Sequence, residues 1–285
     1  LTTRLFCYLG NIGIKMSIKI LIILSVVIAI ICFALLVWSF RIEPNLLEIR
    51  HYKLQSPKIA GLRIVYATDF HIAKHDVKRL DKIIDSIQQQ KPDLILLGGD
   101  FIKGHNDLRT MSPERIAAKL RKLQAPLGVF SVLGNHDWYI GGRKMKHALQ
   151  AAGIVVLEND NEIIPFNKGK FTLAGVADKI TCVADSHQAL KNTPEPRILL
   201  THTPDVFPDI TDSVELVLAG HTHGGQVKLP FIGALIVPLE HGRRYAEGFI
   251  EENGKKMIVS KGLGTSRISI RFNCKPEIVV IEFTK

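Results

Sequence analysis

The run Val214-Glu215-Leu216-Val217-Leu218-Ala219, followed at once by Gly220-His221-Thr222-His223-Gly224-Gly225-Gln226, decides how the rest of the chain is read. An apolar run of strand length that stops at a glycine and then presents His-x-His puts both imidazoles on the same side of an extended backbone at a sheet edge. Such a pair can hold metal, although a lone His-x-His in a polar loop is more often two surface residues. Three other stretches favour metal. Asp69-Phe70-His71, Gly98-Gly99-Asp100 and Gly134-Asn135-His136-Asp137 each follow an apolar run of strand length.

Working outward, Leu62 to Ala67 reads as a strand ending at Asp69-Phe70-His71. Val77 to Gln90 carries Leu80, Ile83, Ile84 and Ile87 at helical spacing, and the strand Leu94 to Leu97 then leads into Gly98-Gly99-Asp100, which completes a β-α-β unit. Ser112 as N-cap and Pro113 open a second helix to about Leu123, and Val129 to Leu133 runs into Gly134-Asn135-His136-Asp137. In open α/β sheets the ligand site lies at the C-terminal ends of strands, where the loops converge. The second half is richer in strands: Ile154 to Leu157, Glu162 to Phe166, Phe171 to Val176, Arg197 to Thr201 and Val214 to Ala219, with a helix around Ala184 to Lys191. Gly248 to Glu252 and Lys255 to Ser260 flank Asn253-Gly254, a hairpin turn, and Pro276 precedes a last strand, Glu277 to Phe283. The pattern predicts an α/β protein of two sheets packed face to face with helices outside, the first half mostly parallel.

Before this domain, expected over 61–285, lie a short basic tail without assigned structure (1–17), an apolar segment (18–40) and a linker with Pro44 and Pro57 (41–60). Ile20 to Trp38 is apolar apart from Ser25, long enough to span a hydrocarbon core of about 30 Å, and longer than the apolar core of a signal peptide. It reads as an uncleaved transmembrane anchor in the cell membrane, with flanking cations too balanced to set its orientation. A cut near Ser56 is expected to release a folded hydrolase. The formal net charge of +10 suits membrane headgroups or a phosphorylated substrate better than nucleic acid, because no stretch interleaves basic and aromatic residues. Cys7, Cys32, Cys182 and Cys274 are far apart and show neither zinc-knuckle nor disulfide spacing.

The polar residues that end strands are Asp69, His71, Asp100, Asn135, His202, His221 and His223. Carboxylate, imidazole and amide donors without thiolate suit Mn, Fe or Zn, and seven donors are too many for one tetrahedral centre, so two divalent ions are implied. A carboxylate is the natural bridge between two dications, and Asp100 on its Gly-Gly turn is the choice. These residues also carry a resemblance. Asp69-x-His71, Gly99-Asp100, Gly134-Asn135-His136, His202 and Gly220-His221-x-His223 resemble, in order, the five signatures of the calcineurin-like metallophosphoesterases. The match extends over about residues 61–284. The His221 loop, Gly262-Leu263-Gly264-Thr265-Ser266 and Pro276-Glu277 resemble the membrane-associated bacterial phosphodiesterase branch.

The resemblance implies a four-layer α-β-β-α sandwich of two mixed sheets. It assigns one metal to Asp69, His71, Asp100 and His223 and the other to Asp100, Asn135, His202 and His221. The expected chemistry is in-line attack on phosphorus by a water activated between two dications, with catalytic His136 stabilising charge or protonating the leaving oxygen. Where the family often has an acidic residue three places after the bridging aspartate, to orient this histidine, this chain has Lys103, and Asp137 is the candidate replacement. Arg143, Lys144, Lys146 and His147, expected to begin a helix after Gly141-Gly142, would meet a second phosphate or an anionic membrane surface. His51, His75, His105, His147, His187 and His241 read as surface residues, with His241-Gly242-Arg243-Arg244-Tyr245 a possible entrance lining. The anchor points to a lipid-linked or nucleotide-lipid phosphodiester or diphosphate, such as the UDP-2,3-diacylglucosamine cleaved by some relatives, with a soluble phosphodiester as the rival. The alternative function is a catalytically inactive, metal-stabilised binding scaffold at the membrane.

Overall fold

Apolar runs whose alternate side chains both find cover make strands buried on two faces, and the first β-α-β unit shows this. The computed structural model describes residues 2–104, 110–167 and 169–285, with side chains from residue 18 onward. In β2 (Arg63–Ala67) Ile64 and Tyr66 enter the space between two sheets, while Val65 and Ala67 face helices. Leu94 and Leu96 of β3 (Leu94–Leu97) repeat the inward face, and Ile95 and Leu97 the outward one. Helices α2 (Val77–Gln89), α3 (Pro113–Leu120) and α4 (Asn135–Ala151) lay Leu80, Ile84, Ile116, Leu120, Met145 and Leu149 on that outward face.

The first sheet has the order β1-β14-β2-β3-β4-β5, with β4 (Val129–Ser131) and β5 (Val155–Val156) continuing the parallel set. The second has the order β12-β13-β9-β8-β7-β6. Its centre, β7 (Gly169–Gly175), β8 (Arg197–Leu200) and β9 (Leu216–Ala219), is parallel, and hairpins close its edges through β6 (Asp160–Phe166), β12 (Gly248–Glu252) and β13 (Lys255–Val259). The Asn253-Gly254 turn, both residues at positive φ, joins the last pair as expected. Phe171, Leu173, Ile198, Leu200, Leu216 and Leu218 meet the first sheet from this side. The outer face of the second sheet is thinly covered, by α5 (Ser186–Leu190), a 3₁₀ turn at Pro204–Asp209 and Tyr245. The architecture is the expected four-layer sandwich of mixed sheets.

Two stretches differ from the sequence reading. Segment 1–17, left without structure, is helical from Thr2 and continuous with the apolar stretch in α1 (Thr2–Val37). The helical segment Ile18–Asn45 is long and apolar enough to cross a membrane, and its apolar side chains are exposed. Residues 41–60 are not a linker. After a π-helical turn (Trp38–Ile42) and a 3₁₀ turn (Glu43–Asn45), β1 (Glu48–Gln55) pairs in parallel with β14 (Glu277–Thr284), from Glu48 opposite Glu277 to Gln55 opposite Thr284. Ile49 packs toward the helices, and Tyr52 and Leu54 pack toward the second sheet. A cut near Ser56 therefore strips an edge strand from the sheet.

Candidate metal centre

Every predicted donor lies just past the C-terminal end of a strand: Asp69 and His71 after β2, Asp100 after β3, Asn135 after β4, His202 after β8, His221 and His223 after β9. The two sheets thus bring their crests together. Turning so sharply there forces Asp69 (φ 54°), His71 (φ 41°), Asp100 (φ 53°), His221 (φ 68°) and His223 (φ 53°) into the left-handed region. Each such non-glycine residue costs roughly 1–3 kcal/mol, so strain is concentrated on the donors. Two glycines are required by crowding. A Cβ on Gly134 would collide with the Asp100 carboxylate and lie 2.7 Å from His202 Cε1, and one on Gly220 would lie 2.5 Å from Asp69 Oδ2.

The donor atoms form overlapping clusters. Asp69, His71 and His223 make one, and Asp100, His202 and His221 another. His71 Nε2 stands 3.0 Å from His223 Nε2, and His223 Nε2 stands 3.5 Å from Asp69 Oδ1. His202 Nε2 stands 3.2 Å from Asn135 Oδ1 and 3.3 Å from His221 Nδ1. The Oδ2 atom of Asp100 lies between the groups, 3.5 Å from His71 Nε2 and 3.4 Å from His202 Nε2. All seven predicted donors converge.

The tautomers fit a metal. His71 Nδ1 donates to the Ile102 carbonyl (3.1 Å) and His202 Nδ1 to that of Gly98 (2.8 Å), which turns each Nε2 lone pair inward. His221 Nε2 faces the Pro238 carbonyl at 3.3 Å, so its Nδ1 lone pair points at His202. Lone pairs facing each other at such distances repel unless a cation or proton lies between them. His223 Nδ1 is buried without a hydrogen-bond partner among the described residues. Electrostatics agree: burial drives His71 down to about 3, and burial with the neighbouring His202 drives His221 down to about 4, leaving imidazoles neutral as ligands must be. Burial raises the Asp69 carboxyl to about 7. Burial opposes charge on Asp100 and His202 too, but they face each other, which holds Asp100 well below and His202 well above its ordinary value. The cluster draws positive charge to itself.

His136 sits beside these donors at the start of α4, its ring edge-on to His71 at 4.7 Å, and its backbone N–H donates to Asp100 Oδ1 (2.8 Å). The expectation that Asp137 orients it is corrected. Both Asp137 oxygens are taken by backbone N–H groups of Gly134, Asp100, Phe101 and Ile102, between 2.9 and 3.3 Å, so this carboxylate shapes the Asp100 turn. The His136 ring is held instead by the Gly104 carbonyl, 3.0 Å from Nδ1. Lys103 turns away to Ser269 Oγ (2.9 Å). A backbone acceptor has no signature in a sequence, which is why it was missed. The same holds for Arg79 of α2, which donates to the carbonyls of Phe70 (2.6 Å), His71 (3.1 Å) and Leu263 (3.3 Å).

The remaining expectations divide. His51, His75, His147 and His187 are exposed, and His105 lies outside the described residues. His241 is half-buried, held by Asp205 at 2.7 Å from its Nδ1. The basic group at 143–147 does not open a helix, because α4 already begins at Asn135 and only kinks at Gly141; Lys144 and Lys146 pair with Glu114 and Glu158. The glycine loop 262–264 locks the crest: Leu263 N donates to Thr68 O (3.0 Å) and Gly264 N to Asp69 O (2.6 Å).

Paired clusters of carboxylate and imidazole on the joined crests of a two-sheet sandwich define a metal-dependent hydrolase of phosphoric esters. The sequence profile of the calcineurin-like phosphoesterases matches residues 62–225, and the chain belongs to that family. It is 34% identical over 249 residues to the uncharacterized metallophosphoesterase YkuE of Bacillus subtilis (strain 168), covering 84% of this chain and 86% of that one. It is 32% identical over 249 residues to the phosphodiesterase YaeI of Escherichia coli (strain K12), covering 84% and 89%. An uncharacterized metallophosphoesterase of Aquifex aeolicus (strain VF5) is 32% identical over 257 residues, covering 85% and 93%.

Proposed function

We propose that the chain is a membrane-anchored phosphodiesterase or pyrophosphatase of the membrane-associated bacterial branch, working with two divalent ions. The observation that carries this reading is the position of Asp100 Oδ2, within 3.5 Å of a ring nitrogen from each donor cluster, as a shared ligand must be. Asp69, His71, Asp100 and His223 would hold one ion, and Asp100, Asn135, His202 and His221 the other, with Mn, Fe or Zn suited to the donors. When bound, the ions supply the charge that makes water a nucleophile at neutral pH and neutralises the phosphoryl oxygens.

The protein's own groups do the rest. Asp137 and Arg79 fix the two turns that aim Asp100, Asp69 and His71. The Gly104 carbonyl holds Nδ1–H of His136, so that Nε2 of the protonated ring would be the atom that passes a proton to the leaving oxygen or steadies charge on the phosphoryl group. Tyr139, exposed and with its ring 5.9 Å from that of His136, frames the rim where substrate enters. The anchor favours a lipid-linked or nucleotide-lipid substrate such as UDP-2,3-diacylglucosamine, because tethering raises the local concentration of anything in the bilayer. The inactive-scaffold reading expects missing donors or a missing His136, and the chain has them all.

The test is a turnover screen with Mn²⁺ over lipid-linked and soluble phosphodiesters, monoesters and pyrophosphates, alongside a metal count by elemental analysis. Hydrolysis of diesters or diphosphates with two ions per chain is expected. Two ions and no hydrolysis of any class would make the chain a scaffold.

A further inference from the structure

Between the metal loop and the end of the anchor stands a hairpin, β10 (Lys228–Leu229) and β11 (Gly233–Ala234), whose exposed side chains are apolar. Phe231 is fully exposed, and Ile232, Leu235 and Ile236 are 55%, 49% and 76% exposed. Phe231 also has φ 64°, a conformation that a bulky side chain adopts only where the surroundings impose it. A strained backbone that presents phenylalanine to solvent calls for an occupant.

The hairpin is fixed at its base. Gly225 leaves no room for a Cβ against Ala234 (2.6 Å) and the Ile236 carbonyl (2.8 Å), and the Pro238 carbonyl meets the metal-cluster residue His221. On the other side, Lys228 N donates to Phe272 O (2.9 Å), and the preceding Arg271 N donates to Ser39 O (2.9 Å) at the end of the anchor. Pro230 and Trp38 line one cavity of about 590 Å³, so the hairpin tip and the end of the membrane-crossing helix are neighbours.

We propose that the tip Pro230–Ile236 enters the same bilayer that the helix spans, seating the metal loop at headgroup level. This rests on the anchored reading above. Three features commit the surface to lipid. It is continuous with the span end, where Trp38 and Phe40 are exposed as interfacial aromatics are. It carries exposed cations suited to anionic headgroups: Arg41 and Lys275 near the helix end, and Arg243, whose Nη1 donates to Ile232 O (2.9 Å). And four apolar side chains fall well short of the roughly 800 Å² per partner that a stable protein interface buries.

The test uses the full chain in vesicles of phosphatidylethanolamine and phosphatidylglycerol, with plain or brominated acyl chains, and reads tryptophan fluorescence. The parent reports on Trp38 against the domain residue Trp138, and Phe231→Trp adds a third indole at the tip, with Ile232→Trp as a second probe should the first fold poorly. Bromine is expected to quench the parent in part and to remove most of the added emission. Quenching in the parent with the added emission untouched overturns the hairpin and leaves the anchor standing. Quenching in neither overturns both. An added emission that bromine spares but that shifts to the blue as protein density rises identifies a second copy of the chain as the occupant, which also overturns the proposal.

Discussion

Two buried polar regions lie within one loop of each other, the donor crest and the junction where the long apolar helix meets the first sheet, and they are built on opposite principles. At the junction each charge has its partners. Glu43 accepts from the Trp38 indole (2.7 Å) and from the backbone N–H groups of Asn273 and Cys274. The fully buried Arg271 donates to the carbonyls of Lys261, Gly262, Gly264 and Cys274 between 2.6 and 3.1 Å. Lys261 pairs with both Glu48 and Glu277 at 3.0 Å. At the crest, ring nitrogens face one another at 3.0 and 3.3 Å and the backbone is left-handed at five donors. The junction stabilises the fold, whereas the crest holds its donors together at a cost that a bound cation would offset.

The contrast is broken most directly at Asp100. Asp100→Asn should lose both ions and more than about 10⁴-fold in turnover, and its metal-free form should melt below the metal-free parent, since His202 loses the carboxylate it faces. Elemental analysis and calorimetry check this, and a variant that kept two ions and near-normal turnover would remove Asp100 as the bridge. His136→Ala should keep both ions and slow kcat by about 10²–10⁴-fold. A smaller defect on a p-nitrophenyl ester, whose leaving group needs no proton, assigns His136 to protonation, and an equal defect assigns it to charge stabilisation.

At the junction the order of effects should invert, with stability lost first. Arg271→Met strands four buried carbonyls and should cost about 3–5 kcal/mol in denaturant unfolding. Asp137→Asn, which keeps the shape of the turn but swaps an acceptor for a donor, should weaken metal binding by about 10–100-fold in a competition titration. The smallest effect belongs to Glu43→Gln, about 1–2 kcal/mol, because one amide oxygen still accepts a backbone N–H. A Glu43→Gln variant that instead lost metal before stability would erase the distinction between the two regions.

The crest was legible because each donor follows an apolar run of strand length and several such stretches repeat the pattern, which His-x-His alone would not have decided. The sandwich followed from strands whose runs are continuous rather than alternating. What stayed hidden is non-local or lies in the backbone. Glu48-Ile49-Arg50-His51-Tyr52-Lys53-Leu54-Gln55 reads as linker because its charges sit at a sheet edge and, among the described residues, its one strand partner is the distant β14. The pairing of Glu43 with Asn273 joins residues 230 apart. Gly104 holds His136 through a carbonyl, which any residue could supply. The Phe231 hairpin went unread because two-residue strands carry no periodicity.

The place of β14 bears on how the protein is made. It lies between β1 and β2, parallel to one and antiparallel to the other, and is the last in sequence order among the described strands. During synthesis the apolar helix leaves the ribosome long before that strand exists, and β1 then waits without its strand partner. Such distant pairings make assembly slow. The sheet can close only once β14 has been made, so the apolar helix comes first and the closed sheet last. Until then the Glu43 carboxylate, which in the finished protein caps residues 273 and 274, has nothing to cap.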